Sequence, residues 1–409
     1  MSGRPDSTPS SAALSTAPGL YVHVPFCARI CPYCDFAVTA LGRSGPSRLE
    51  RYRRALLREI ELRAAPLAAD TVYFGGGTPS LAPPGFFREI VESAAATGLA
   101  APKSFVIIEA NPEDLARDPG LAARWAAEGV SGVSLGAQAL DDSRLRFLGR
   151  LHSAEDIDVA ASRLAEAGIP WISVDLIYGA AGQAADSLRT EIGAATDLPG
   201  VNHLSAYELT VEPDTPFGRR AASGERLTAE PGGDGLFRVV HETLAECGFP
   251  AYEASNFAAA PGLRSRHNQK YWSGVRYLGI GPSAHSFDPE RAERSWNHRG
   301  FGDWEAAVLG DGEPAAGRER LRPAQRALEE LFLRLRTTAG LELGGFAARY
   351  GAEVVRSNRA LFRDWEARGL VRLEGPEGGL MSPTLQGLAV ADALAREVDL
   401  NALRDRNAA

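Results

Sequence analysis

Short apolar runs alternate with amphipathic helices along the first half of the chain, and this alternation predicts the fold. The runs predict six β-strands, LYVHV (20–24), TVYF (71–74), FVIIEA (105–110), GVSLGAQ (132–138), WISVDLIYG (171–179) and HLSAYELT (203–210). Apolar residues at helical spacing predict helices near 48–65, 86–96, up to about 127, 154–167, and one more after 179. Strands that alternate with helices indicate βαβ units, which build a parallel sheet covered on both faces.

Polar residues recur at or just beyond the C-terminal ends of these predicted strands. They are residues 27–34, residues 75–78, Glu109, Gln138 and Asp175. In barrels and open α/β sheets, functional sites are built at that edge. Six strands are too few for a complete eight-stranded barrel. The pattern therefore predicts an open, partial (β/α)6 barrel with a site along one edge.

The alternation of strands and helices ends near residue 318, where the chain becomes mainly helical. AQRALEELFLRLR (324–336) is strongly amphipathic, two further helical segments follow, and a final helix is predicted from 384 to about 395. Two strand-like segments (370–375 and 378–383) complete a pattern typical of a small winged-helix-like domain. We predict four segments: a disordered tail (1–18), the partial barrel (19–210), a barrel extension (211–317) and the C-terminal domain (318–409).

Composition narrows the class of protein. The chain has 409 residues, 44% of them hydrophobic and 23% charged, as is ordinary for a globular protein of two or three domains. Its net charge of −8 argues against a nucleic-acid partner held through phosphates, which needs a basic face. The sequence contains no apolar run of 18 residues and does not begin like a signal peptide. Together with reduced thiols, these features predict a cytoplasmic location.

Three of the four cysteines lie within YVHVPFCARICPYCDF (21–36), as Cys27, Cys31 and Cys34. Three thiolates can each hold one iron of a four-iron cluster and leave the fourth iron open to a small molecule. A structural zinc site with His23 as fourth ligand is an alternative, although zinc ligands usually come as two separated pairs. A disulfide framework fits worse, since three crowded cysteines leave one unpaired. Cys247 stands alone and is expected to be a small buried residue.

The other polar patches have both structural and functional interpretations. GGGTPS (75–80) could be an ordinary turn, but beside a cluster loop its glycines would let the backbone approach a ligand closely. Glu109 and Asp175 follow apolar runs, where a carboxylate needs a partner. That partner could be a helix N-terminus or a ligand's hydroxyl and ammonium groups. Gln138 and Arg150, taken singly, favour structural roles.

With these motifs in place, the chain resembles the radical S-adenosylmethionine enzymes. More narrowly, it is similar to the oxygen-independent coproporphyrinogen oxidase family and, within it, to a haem-chaperone subgroup. The resemblance covers residue 19 to the C-terminus and rests on seven motifs, YVHVPFCARICPYCDF, YFGGGTPS, IEANPED, SLGAQ, DLIYG, HNQKYW and LGIGPSAHS. It implies a radical-SAM partial barrel with a 4Fe–4S cluster and bound S-adenosylmethionine.

The resemblance also implies roles for individual residues. Cys27, Cys31 and Cys34 would bind the cluster. S-adenosylmethionine would meet Tyr21 and the Tyr33 backbone at its nucleoside, Gly76, Gly77 and Thr78 at its methionine moiety, and Glu109, Gln138, Arg150 and Asp175 around the rest of the pocket. Arg150 is placed only by its spacing of twelve residues from Gln138.

Two departures separate the chain from the oxidases of this family. Those enzymes have a further cysteine two residues after the third, where Phe36 stands here, and an extended segment before the first strand, where only a low-complexity tail precedes Tyr21. Both features match the chaperone subgroup. We therefore expect a haem chaperone that passes haem to an acceptor protein and carries a 4Fe–4S cluster with exchangeable S-adenosylmethionine. The alternatives are radical oxidative decarboxylation of coproporphyrinogen III and a zinc-stabilised interaction module.

HNQKYW (267–272) is the predicted haem segment. Haem needs an axial ligand and an apolar wall, which His267 and the rings of Tyr271 and Trp272 could supply. Alternatively, His267 and Asn268 cap a turn while the two aromatic rings pack in a core. His285 is a second ligand candidate. We expect no nucleic-acid partner, a lid or docking role for the C-terminal domain, and membrane contact only through the acceptor.

Overall fold

A computed structural model describes residues 16–42, 44–229, 235–310 and 312–404. The predicted tail therefore lies outside the described residues, apart from 16–18. The strands are β1 (Gly19–Val24), β2 (Phe26–Cys27), β3 (Thr39–Ala40), β4 (Ala69–Gly76), β5 (Ala100–Ala110), β6 (Val130–Gln138), β7 (Trp171–Tyr178), β8 (His203–Glu208), β9 (Asn256–Ala258), β10 (Tyr277–Ile280), β11 (His285–Asp288), β12 (Glu293–Asn297), β13 (Ala315–Arg320), β14 (Leu341–Glu342), β15 (Val371–Glu374) and β16 (Leu380–Pro383).

The helices fall where the apolar spacing predicts them, with a few breaks. They are α1 (Gly45–Leu62), α2 (Phe86–Ala96), α3 (Pro112–Arg117), α4 (Leu121–Ala127), α5 (Asp142–Phe147), α6 (Ala154–Glu166), α7 (Ala185–Thr196), α8 (Pro216–Ala222), α9 (Gly235–Glu246), α10 (Asn268–Ser273), α11 (Phe301–Leu309), α12 (Pro323–Leu335), α13 (Leu343–Tyr350), α14 (Ala352–Ser357), α15 (Arg359–Ala367), α16 (Leu385–Ala389), α17 (Ala391–Glu397) and α18 (Asn401–Arg404). The stretch predicted to end near 127 is two helices, because Pro119 cannot continue α3.

The sheet has six parallel strands at its centre, in the order β1, β4, β5, β6, β7, β8. On the other side of β1, β10 pairs in parallel, and β11, β12 and β13 continue as an antiparallel meander. At the opposite end, β9 pairs antiparallel with β8. These eleven strands form one open sheet with edges at β13 and β9, which confirms the predicted partial (β/α)6 barrel, while β2 and β3 pair separately.

The described residues pack into two hydrophobic cores. The larger packs the helices of the first 309 residues against the sheet, for example through Phe74, Phe86 and Phe87, which meet edge to face. The smaller core lies within residues 327–403, where α12 to α18 surround a three-stranded sheet of β14, β16 and β15. The mainly helical, winged C-terminal region is therefore as predicted, with one strand more than the pattern indicated. The four proposed segment boundaries stay predictions.

Among the described residues, no helix combines the length and the apolar character needed to cross a membrane.

Candidate functional site

The cysteine loop follows β1 at the C-terminal edge of the sheet. Cys27, Cys31 and Cys34 are all half-buried and line one cavity of about 500 Å³. His23 supports the loop, because its Nε2 lies 3.0 Å from the carbonyl oxygen of Ala37 and its Nδ1 lies 3.1 Å from the Tyr21 hydroxyl. Both ring nitrogens of His23 therefore have protein partners, so the imidazole has a structural role in this arrangement.

The glycine loop after β4 packs directly against the cysteine loop. The Gly77 N–H donates to the Val24 carbonyl (2.8 Å) and the Thr78 N–H donates to the Phe26 carbonyl (2.7 Å). Gly76 has a φ of +106°, and a Cβ at this position would lie 2.3 Å from the His23 ring. The glycines thus bring two loops of the cavity into backbone contact, which larger residues would prevent.

Two carboxylates lie within the cavity wall, each held by neutral donors. Glu109 accepts from the Tyr73 hydroxyl and the Gly76 N–H, both at 2.9 Å. Asp175 accepts from the Ser134 hydroxyl at 3.0 Å. Burial raises the pKa of Glu109 to about 7 and that of Asp175 to about 6, although the hydrogen bonds oppose the shift. A cationic or hydroxyl-bearing ligand would stabilise the charged form of both.

Arg150 connects three strand ends. Its Nη1 donates to Cys31 Sγ at 3.4 Å, and its Nη2 donates to the Gly136 carbonyl at 3.0 Å and to the Asn111 side chain. Gln138 ends β6 with a φ of +69°, in the left-handed region that non-glycine residues seldom adopt. Such backbone strain persists where surrounding structure requires it, often at functional sites.

The cysteine thiols would have to lose their protons before they could hold an iron–sulfur cluster. Burial raises the pKa of Cys27 to about 11 and also raises that of Cys34, so metal binding must displace protons. The Arg150 guanidinium beside Cys31 favours the anionic site that results. Among the described residues, no three His, Cys, Asp or Glu side chains converge closely enough to hold a single metal ion. A cluster makes a different demand, because each thiolate bonds a separate iron.

The cavity gathers all the predicted S-adenosylmethionine residues except Tyr21. The Tyr21 ring instead stacks on Tyr73, with 6.1 Å between ring centroids. The sequence motifs did not indicate several other lining residues, among them Tyr73, Asn111, Ser134, His203, Ser205 and Tyr207. Three of them, His203, Ser205 and Tyr207, alternate along β8, and Ser134 lies four positions before Gln138 on β6. Since alternate residues of a strand share one face, polar residues at that spacing were the available signal.

Residues 21–190 match the Radical SAM superfamily, and residues 321–390 match the HemN C-terminal domain. Over 399 residues the chain is 36% identical to Heme chaperone HemW of Mycobacterium tuberculosis (strain H37Rv), covering 96% of this chain and 97% of that protein. This chain belongs to the HemW family of haem chaperones. The predicted radical S-adenosylmethionine and haem-chaperone resemblance is thereby confirmed.

Two further relatives and one solved structure are also similar to this chain. Heme chaperone HemW of Synechocystis is 35% identical and covers 78% of both chains. Radical S-adenosyl methionine domain-containing protein 1, mitochondrial, of Mus musculus is 37% identical, over 68% of this chain and 62% of that protein. Coproporphyrinogen III oxidase (HemN) of Escherichia coli superposes with a TM-score of 0.79 at 19% identity, covering 96% of this chain and 92% of that one. That likeness shows a shared fold.

In this HemW family member, Asn268 is the one residue of the HNQKYW segment that lines the cavity of the three cysteines. His267 is fully buried, and its ring lies beside Gly19, the first residue of β1. Its ring nitrogens lie 2.9 Å from the Thr71 hydroxyl and 2.9 Å from the Tyr271 hydroxyl, and its ring stacks on Tyr73. Burial lowers its pKa to about 3. With both nitrogens engaged, His267 does not face a ligand in this conformation.

The remaining candidates lie elsewhere. Tyr271 and Trp272 are half-buried and line a second cavity of about 390 Å³ between the sheet and the C-terminal unit. His285 is exposed at the start of β11, where its ring stacks on Trp296. The expectation that Cys247 is buried is wrong: it follows the last residue of α9 in a turn and is exposed.

Proposed function

We propose that this chain is a haem chaperone that binds haem and passes it to an acceptor protein. The observation that carries the proposal is the 36% identity to Heme chaperone HemW over 97% of that protein. Phe36 supports it, since an exposed phenylalanine stands at the cavity mouth where the oxidases of the family have a cysteine. The partners are haem and an acceptor, and the compartment is the cytoplasm, where thiols stay reduced.

The cavity residues fit the cofactors of the superfamily. Cys27, Cys31 and Cys34 would hold the 4Fe–4S cluster, and the glycine loop with Glu109 and Asp175 would hold S-adenosylmethionine in exchange with solvent. When bound, this pair supplies one-electron radical chemistry. Gly77 and Thr78 would orient the methionine moiety of S-adenosylmethionine, and Glu109 and Asp175 would accept hydrogen bonds from its ammonium or hydroxyl groups. Arg150 fixes the relative positions of the cysteine loop and strand β6.

The test uses the full chain with its cluster reconstituted anaerobically. Haem is titrated in and followed by its absorbance, and the loaded protein is then mixed with apomyoglobin as a generic acceptor. We expect one haem per chain and its appearance in the acceptor. Failure to bind haem with the cluster intact would overturn the proposal.

A parallel assay separates carriage from catalysis. The same protein is incubated with coproporphyrinogen III, S-adenosylmethionine and a reductant, and the porphyrins are separated. We expect no protoporphyrinogen. Its formation would make the chain an oxidase and show that Phe36 is no obstacle.

A further inference from the structure

A second cavity lies between the sheet and the C-terminal unit, under the HNQKYW segment. One side is formed by α10 and the first residues of β10, and the other by α12 and α13. Six aromatic residues line it, Tyr271, Trp272, Tyr277, Phe287, Phe332 and Tyr350. Flat rings on both sides of a cleft suit a flat apolar ligand, because stacking adds to the burial of apolar area.

The same cleft is basic. Four arginines and two glutamates line it, and the glutamates are already engaged: Glu329 pairs with Arg294, and Glu330 pairs with Arg349 at 3.1 Å. Arg326 and Arg334 are half-buried and have no ion pair within the described part of the chain. Two guanidinium groups are thus available for a ligand that brings two negative charges.

Of these two residues, Arg334 gives the stronger evidence for an anionic ligand. A guanidinium keeps its proton at any ordinary pH, so burying it without an anion is costly. Burial lowers the pKa of Arg334, and the Glu330 carboxylate that opposes this shift is bonded to Arg349. Trp272 also buries its indole N–H without an acceptor in the described residues. Among the described residues, the cleft therefore has a guanidinium group without an ion pair and an indole N–H without an acceptor.

The geometry points to this cleft as the seat of the haem, with the porphyrin ring between the aromatic walls and its two propionates on Arg326 and Arg334. These arginines lie eight positions apart on α12, about 12 Å along the axis. Their long side chains can converge on two carboxylates at one edge of the ring, and guanidinium binds carboxylate with two parallel hydrogen bonds. This inference rests on the proposed function and names the site at which the cargo binds.

The placement gives His267 a different role from an axial ligand. Its hydrogen bond to the Tyr271 hydroxyl fixes one aromatic wall of the cleft, so it is a positioning residue. We expect His267→Ala to weaken haem binding while the absorbance spectrum of bound haem keeps its shape. A changed spectrum would mean that the imidazole ligates the iron.

The deciding experiment removes the two guanidinium groups. Haem affinity is measured for the full, cluster-loaded chain, for Arg326→Gln with Arg334→Gln, and for a control with Arg363→Gln and Arg372→Gln. Both control arginines are exposed in the C-terminal unit outside the cleft. We expect the cleft variant to bind haem at least about tenfold more weakly. The loss of one hydrogen bond between charged groups lowers the affinity by about that factor. The control is expected to match the unaltered chain.

The esterified ligand completes the test. Haem dimethyl ester lacks both carboxylates, so it should bind the unaltered chain about as weakly as haem binds the cleft variant, and the variant should lose nothing further. Equal affinities for haem in all three proteins, or an ester bound as tightly as haem, would overturn the site. A chain that binds no haem at all would instead overturn the proposed function. If the double variant fails to fold, Arg326→Gln alone provides the same comparison.

Discussion

At the scale of single residues, position separates the four cysteines into two kinds. Cys27, Cys31 and Cys34 share one cavity beside the Arg150 guanidinium, whereas Cys247 is exposed at the end of a helix. A thiol serves as a metal ligand only when neighbouring ligands share the ion or cluster. We therefore expect substitution of a cysteine inside the cavity to impair cluster binding, and substitution of Cys247 to leave it unchanged.

Cys31→Ser is expected to abolish the cluster, because two remaining thiolates leave a second iron without a protein ligand. Iron and sulfide content and visible absorbance after anaerobic reconstitution measure the result. Cys247→Ser is the matched control and should retain the iron content of the unaltered chain. Equal iron in both variants would show that the three-cysteine motif does not hold a cluster.

At the residue level, the sequence indicated which polar residues lie near one another at the strand ends, but not the contacts that depend on packing. Glu109, Gln138 and Arg150 could be placed at the cavity from strand ends and family resemblance. Asp175 lies within β7 rather than beyond its end, and its partner Ser134 could not be inferred, because an isolated serine carries no pattern. The burial of His267 depends on α10 packing under distant strands, which local sequence does not encode.

At the scale of elements, the apolar runs predicted the six parallel strands because those strands are covered on both faces. The meander of β10 to β13 was missed, since its short strands carry charged residues, as in Glu293–Asn297. β5 also begins earlier than its apolar run, with Lys103 exposed inside the strand. Ala100 pairs with Ala69, and the register then shifts before Phe105 pairs with Thr71, an irregularity for which the side chains give no signal.

The junction of β4 with its glycine loop has little room for a larger residue at Gly76. Gly76→Ala would both strain a φ of +106° and drive a methyl group to within 2.3 Å of the His23 ring. Gly85→Ala is the control, since Gly85 has a φ of +85° but nothing within 4 Å of its Cβ position. Strain alone costs about 1–2 kcal/mol, and overpacking adds about 1–3 kcal/mol.

We therefore expect Gly76→Ala to lower the free energy of unfolding by more than Gly85→Ala does, with the difference in the overpacking range. Chemical unfolding of the two full-length variants measures it. A Gly76→Ala protein as stable as Gly85→Ala would mean that the His23 ring moves aside freely.

At the scale of the whole molecule, the two cavity carboxylates make stability depend on pH. Their pKa values of about 7 and about 6 lie above the values of about 4 that they have in an unfolded chain. The folded state therefore holds protons that the unfolded state has released. Without S-adenosylmethionine, we expect stability to fall as pH rises from about 4 to about 7 and then to level off for these groups.

Unfolding midpoints across that range, for the unaltered chain and for Glu109→Gln, provide the measurement. The variant should show a shallower fall, since its amide does not titrate. Asp158→Asn, which removes a carboxylate from the exposed side of α6, controls for loss of charge. An identical slope in Glu109→Gln and the unaltered chain would contradict the expectation.

Cofactor and cargo, placed as proposed, lie at opposite ends of the same strands. The cysteine loop follows the C-terminal end of β1, whereas α10 lies under its N-terminal end, where the Lys270 Nζ donates to the Ala17 carbonyl. Six residues of strand span roughly 17 Å, while reacting atoms must approach to about 3 Å. Any effect of S-adenosylmethionine on haem is then a coupling between two binding equilibria, and thermodynamic linkage makes that coupling reciprocal. If S-adenosylmethionine lowers the affinity of the chain for haem, bound haem lowers the affinity for S-adenosylmethionine by the same factor.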